Sequence, residues 1–310
     1  MGRKRRMTKI GFIGLGNMGG PMAANLASAG HVVSVFDLSQ TAIKKAVDFG
    51  CSPARTIKEC VKDADAVITM LPAGQHVRHI YEGTTGSSTA SSDSVFIDAP
   101  EHALLIDCST IDVETTRILS EYASRNQRAM VDAPVSGGVA AATAGTLTFM
   151  VGGSVENFNK AKPILEDMGK NIFHAGEAGN GQVAKIANNM LLGATMIATC
   201  EAFNLAEKLG LDAQTFFDIA STASGQSWSM TSYCPAPGPV SAAPSNRDYA
   251  PGFSAAMMLK DLRLAQEAAH SAKASTPIGA QAEALYALME AAEKDNLDFS
   301  GIMKLINGTL

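Results

Sequence analysis

The chain has no Cys-x-x-Cys pair, no surplus of basic residues, no internal repeat and no coiled-coil heptad run. Its five cysteines, Cys51, Cys60, Cys108, Cys200 and Cys234, are odd in number and widely spaced. That pattern excludes a disulfide framework and a zinc site, so no metal is expected and a reducing, cytoplasmic compartment is. Lys and Arg number 25 against 30 Asp and Glu, a net charge of -5. The positive field that phosphate backbones require is missing, and nucleic acid is not an expected partner. The apolar centre of the longest helical stretch, Met190 to Cys200, is about half of the roughly 20 residues a bilayer span needs, so no membrane partner is expected either. Met1 to Arg6 is basic but leads to no apolar segment. Residues 1–7 therefore read as a disordered extension rather than a secretory signal.

What is present is a 310-residue chain, 46% hydrophobic and 18% charged, which folds and is long enough for two domains. Strand-like runs at Ile10–Ile13, Val32–Phe36, Ala66–Met70, Leu104–Asp107, Ala129–Asp132 and Leu147–Val151 alternate with helical segments. That alternation predicts an α/β, Rossmann-type doubly wound sheet covered on both faces. After Phe173 the strand pattern stops, and helices are predicted at 183–209, 212–223, 254–272, 278–292 and 299–306. The predicted fold is thus a Rossmann-type domain followed by an all-α domain joined through a long helix. The boundary falls in the glycine-rich stretch Gly176–Gly181, giving a dinucleotide-binding domain over 8–176 and a substrate and oligomerisation domain over 177–310. Ser/Thr-rich Glu82–Ala103 and proline-rich Pro235–Pro251 are predicted surface loops.

Three constellations carry chemistry. Gly14-Leu-Gly16-Asn17-Met18-Gly19 lies directly after a strand and before a helix. There Gly14 permits a tight bend, Gly16 lets backbone N–H groups approach a pyrophosphate, and Gly19 lets the helix pack close to the sheet. Asp37 ends the next strand about 20 residues further on, where a carboxylate accepts hydrogen bonds from an adenosine ribose and repels a 2′-phosphate; no arginine follows to reverse that choice, so NAD is the expected cofactor. Ser136-Gly137-Gly138 leaves backbone amides bare, as either a plain loop or a nest for a carboxylate. Lys185 and Asn189 share a helical face at i and i+4; they either face a polar cleft or are a snorkelling lysine beside capping asparagines. Trp228 and Tyr233 read as packing or as substrate contacts. His76 and His79 read as a solvated helix face, and Lys260-Asp261 as a surface pair or as a cation near the dinucleotide.

Taken together, 14–26, 132–138 (Asp-Ala-Pro-Val-Ser-Gly-Gly), 181–189 (Gly-Gln-Val-Ala-Lys-Ile-Ala-Asn-Asn) and Lys260-Asp-Leu resemble, in order, the four motifs of the β-hydroxyacid dehydrogenase family. Asp-Cys-Ser-Thr-Ile at 107–111, 224–229 and 244–249 resemble its branch acting on 3-hydroxyisobutyrate. The resemblance implies NAD-dependent oxidation of a small 3-hydroxy carboxylic acid, for that branch to methylmalonate semialdehyde in valine catabolism. It implies Lys185 as general acid/base, and Ser136, Gly137, Gly138, Asn189 and Trp228 around the substrate. Gly14, Gly16, Asn17, Met18, Gly19, Asp37, Leu71, Pro72, Ser109, Thr110 and Lys260 would surround the cofactor, and the assembly would be a homodimer or homotetramer. Related substrates (tartronate semialdehyde, serine, 3-hydroxypropionate) share the four motifs. Lys185 weighs against an imine reductase and, with Asn189, against a non-catalytic dinucleotide-binding protein.

Overall fold

A computed structural model describes residues 7–83 and 93–310. The chain divides into two compact units, the first running through Lys185 and the second from Ile186 to Leu310.

In the first unit the order is β1 (Lys9–Ile13), α1 (Gly19–Ser28), β2 (Val32–Phe36), α2 (Gln40–Asp48), β3 (Ser52–Pro53), α3 (Ile57–Val61), β4 (Ala66–Thr69), α4 (Gly74–Glu82), α5 (Val95–Asp98), β5 (Leu104–Asp107) and α6 (Val113–Arg125). Then come β6 (Met130–Asp132), β7 (Val135–Ser136), α7 (Gly138–Ala144), β8 (Leu147–Gly152), α8 (Val155–Leu165) and β9 (Gly169–Gly176). The sheet order is β3-β2-β1-β4-β5-β6-β8-β7, with β9 on β8. Alternate residues of one strand enter different cores: Ala66, Ile68, Leu104 and Ile106 join one cluster, Val67 and Leu105 the other. Both faces are therefore covered, which is why these strands read as unbroken apolar runs rather than alternating ones. Helix starts follow the side-chain oxygens that cap them, as with Ser39 on α2, Thr56 on α3, Asp112 on α6 and Ser154 on α8. Because β1 lies between β2 and β4, the chain reverses its winding direction there, and the carboxyl ends of β1 and β4 open the crevice in which such sheets bind ligands.

The second unit is helical: α9 (Asn180–Lys208), which begins in the first unit, then α10 (Ala213–Ala220), α11 (Trp228–Thr231), α12 (Ala255–Ser271), α13 (Pro277–Ala291) and α14 (Ile302–Ile306). By length and composition α9 is long and apolar enough to cross a membrane, which the short run Met190–Cys200 did not suggest. Its Met196, Ile197, Cys200 and Phe203, however, form part of the unit's core with Met258, Leu262 and Tyr286. A side chain at Gly279 would lie 2.6 Å from both Met190 Sδ and Gln266 Nε2, so glycine there sets how closely α13 approaches its neighbours.

The structure corrects several expectations. Strand pairing continues past Phe173, because β9 adds to β8 with only part of its length buried. The sheet is not wholly parallel, since β8 runs antiparallel to β6 and β7. Of the stretch 82–103, residues 84–92 lie outside the described residues, as do residues 1–6 of the expected extension. The remainder of that stretch is no surface loop: Ser94 and Val95 are buried and Arg128 donates to the carbonyls of Phe96, Ala99 and Pro100. Pro235–Pro251 is irregular and largely exposed, as expected, but is anchored inward, with Ser245 and Tyr249 buried and the Tyr249 hydroxyl donating to Pro235 O at 2.8 Å.

Candidate active site

The carboxyl ends of β1, β2, β4, β5 and β6 bring most of the first unit's motif residues to one edge of the sheet. Gly14 leaves β1 at φ +95°, and a side chain there would sit 2.3 Å from Met70 O. At Gly19 an added Cβ would fall 1.9 Å from Gly14 O, whereas one at Gly16 would meet nothing within 4 Å among the described residues. The loop is thus closed at its two ends and bare in the middle, the form a pyrophosphate needs beside the first amides of α1. Asn17 is exposed and Met18 half-buried beside it. Asp37 grips the loop: Oδ2 accepts the Leu15 N–H at 2.6 Å and Oδ1 the Ser39 N–H at 2.7 Å. Each oxygen has a further lone pair for a ribose hydroxyl, so the residues fit a dinucleotide.

Leu71 and Pro72 follow β4, with Leu71 half-buried and Pro72 exposed. Ser109, expected at the cofactor, is fully buried. Its hydroxyl donates to Asp107 Oδ1 at 2.6 Å and accepts the Leu71 N–H at 2.9 Å, so its side chain braces the loop from within. Asp107 also accepts from Thr69 Oγ1 at 2.7 Å; burial pushes its carboxyl up to about 6 against these stabilising bonds. Thr110, half-buried, is the more accessible of the pair.

Ser136 is half-buried at the end of β7, opposite Thr148. Gly137, at φ +129°, is the N-cap of α7, and a Cβ there would lie 2.5 Å from that of Ala141. Ser-Gly-Gly is therefore a strand-to-helix turn with bare amides, as a carboxylate nest requires. Lys185 is 7% exposed, one turn into α9. Of the two readings of this lysine, snorkelling does not fit such burial.

In the second unit Asn189 is buried, its Nδ2 donating to Asp261 Oδ2 at 2.5 Å and its Oδ1 accepting from Asn188 Nδ2 at 3.0 Å. Lys260 Nζ lies 3.2 Å from Asp261 Oδ1. Lys260-Asp261 is not a surface pair, because Asp261 is 1% exposed. Trp228 is half-exposed and stacks on Tyr233 at 5.0 Å between centroids. His76 and His79 are exposed, as expected. The sequence gives no role to Asp261, which looks like half of an ordinary i,i+1 charge pair, or to Asp107, which stands only as the first residue of the motif at 107–111.

A glycine-lined phosphate loop at the switch point of a doubly wound sheet, with a buried lysine after it, defines a dinucleotide-dependent oxidoreductase. Residues 9–176 match the family described as the NAD binding domain of 6-phosphogluconate dehydrogenase, and 179–306 that described as NAD-binding of NADP-dependent 3-hydroxyisobutyrate dehydrogenase. The chain is 49% identical to a 3-hydroxyisobutyrate dehydrogenase of Pseudomonas aeruginosa, covering 97% of this chain and 99% of the relative. It is 46% identical to an NAD-dependent L-serine dehydrogenase of the same organism, covering 98% and 99%. The structure of Mycobacterium tuberculosis 3-hydroxyisobutyrate dehydrogenase with L-serine superposes with a TM-score of 0.89 at 46% identity, covering 97% and 99%. The chain belongs to the β-hydroxyacid dehydrogenase family, within its 3-hydroxyisobutyrate dehydrogenase branch.

Proposed function

We propose that this protein oxidises 3-hydroxyisobutyrate to methylmalonate semialdehyde with NAD, in the cytoplasm and as a homodimer or homotetramer. The observation that carries the reading is a buried lysine one turn into α9, on the face that also presents Asn189. The Gly14–Gly19 loop and Asp37 would hold NAD, which would supply the hydride acceptor for the carbinol carbon. Lys185, as the neutral amine, accepts the hydroxyl proton at the oxygen and returns it to solvent. Ser136 and the Gly137 and Gly138 amides hold the substrate carboxylate, and the second N–H of Asn189 fixes the reacting oxygen while Asp261 holds the first. The Gly14–Gly19 loop with Asp37, Leu71, Pro72 and Thr110 receives the dinucleotide, Ser109 acting through Leu71. Lys260 is assigned to the cofactor and Trp228 to the substrate. L-serine is the second reading, since a relative is named for it and another was solved with it.

The test is turnover of 3-hydroxyisobutyrate, L-serine, 3-hydroxypropionate and glycerate with NAD and with NADP; a kcat/KM for any other acid above that for 3-hydroxyisobutyrate overturns the assignment. Asp37→Ser is expected to narrow the preference for NAD by roughly tenfold, read as the ratio of kcat/KM with the two cofactors. A wild-type preference for NADP contradicts the role given to Asp37. Ser136→Ala is expected to raise substrate KM by about tenfold with little change in NADH affinity, because the hydroxyl holds the carboxylate equally in ground and transition states. Loss of NADH binding in this variant, with substrate KM intact, places the turn in the wrong site.

A further inference from the structure

The second motif is tied to the start of the third and the residues just before it, 47 to 50 residues on, through a carboxylate. Asp132, at the carboxyl end of β6, is 2% exposed. Its Oδ1 accepts the Gly179 N–H at 2.8 Å and its Oδ2 the Gln182 N–H at 3.0 Å. Both donors belong to the entry into α9, where amides have no partner within the helix. The cage around the carboxylate is walled by glycine. A Cβ at Gly152 would lie 2.4 Å from Asp132 Oδ1, and one at Gly181 would lie 2.5 Å from Oδ2 and 2.3 Å from Met150 O. Burial raises the Asp132 carboxyl, opposed by the backbone N–H groups that bind its ionised form.

Gln182 makes the second link. It is fully buried; its Nε2 donates to Ser109 O at 2.8 Å and its Oε1 accepts the Ile111 N–H at 3.1 Å. One amide therefore clamps both ends of the short segment that carries Thr110. Through Ser109 the tie continues to Leu71. Gln182 stands three positions before Lys185, less than one helical turn.

We infer that Asp132 and Gln182 are positioning residues of the oxidation: Asp132 fixes the axial place of α9, and hence of Lys185, while Gln182 fixes the cofactor-side segment 109–111 to the same turn. Neither touches the reacting atoms; each acts through another residue. This rests on the function proposed above. The two ties have different readouts, because one holds the lysine and the other also holds the cofactor side.

The experiment compares Asp132→Asn and Gln182→Met with wild type as full-length proteins. Asp132→Asn keeps the shape but leaves an amide N–H facing a backbone donor. It is expected to lower kcat roughly 10- to 100-fold, the scale of a misplacement of about 1 Å, while NADH affinity stays within about twofold. The primary isotope effect with substrate deuterated at the carbinol carbon is expected to rise, because the chemical step becomes more limiting. Gln182→Met is expected to lower kcat and also to weaken NADH binding by about tenfold. Amide hydrogen exchange reads the same ties without turnover: 179–185 loses protection in both variants, and 109–111 only in Gln182→Met. Wild-type kcat per folded molecule and an unchanged isotope effect in Asp132→Asn overturn the inference. So do falls in activity that merely follow melting temperature. Should Asp132→Asn not fold, Gln182→Met alone decides through NADH affinity and exchange at 109–111. Wild type that turns over none of the acids sinks the proposed function, and exchange in the variants still decides the two ties.

Discussion

Lys185→Arg yields a folded protein that binds NADH and turns over its substrate at least 10²-fold more slowly. Arginine is a similarly long side chain but a permanent cation: its guanidinium does not give up a proton in a protein and cannot accept the hydroxyl proton. The side chain it replaces is 7% exposed, so solvent is poorly placed to supply a substitute base. Transition-state stabilisation is lost without a matching loss of ground-state binding, so kcat falls and KM moves little. Steady-state kinetics, with NADH titrated by fluorescence in the same preparation, measures both quantities. A variant with near wild-type kcat removes Lys185 from the role of acid/base.

The second large effect is expected at Gly19. A methyl group placed there meets Gly14 O at 1.9 Å, and both are backbone positions of one loop, so no side chain can yield. The loop must shift, and its bare segment at Gly16 shifts with it. We expect Gly19→Ala to weaken NADH binding roughly 10²-fold, as displacements near 1 Å do in built sites, with far-UV circular dichroism confirming the fold. Affinity equal to wild type shows that the loop does not cradle the phosphates. The middle of the loop is another matter, since a Cβ at Gly16 would meet nothing within 4 Å among the described residues, and its need for glycine lies in what approaches from outside.

Much of this is legible in the sequence. Strands buried on both faces are continuous in sequence, and Val32–Phe36 and Leu104–Asp107 have the bounds read from the pattern. The two-residue strands Ser52–Pro53 and Val135–Ser136 were not legible, because they are defined by partners elsewhere rather than by their own periodicity. The same holds within the site. Gly14 to Gly19, Lys185 and Asn189 announce themselves because local chemistry demands those residue types at those spacings. Asp132, Gln182 and Asp261 become meaningful only through atoms distant in the chain. Ser109 is expected at the cofactor from its motif, whereas its hydroxyl turns inward to Asp107.

The carboxylate cage also bears on dissecting the molecule. Composition marks Gly176 as a seam, yet the donors that Asp132 needs, Gly179 and Gln182, lie beyond it. A dinucleotide-binding fragment cut at that seam would lose both backbone donors to the Asp132 carboxylate and the Gly181 wall that encloses it. The compact unit instead continues through Lys185. A recombinant that joins this sheet to a helical half from elsewhere must therefore carry the first turn of α9 with the sheet, as though those residues were its last strand.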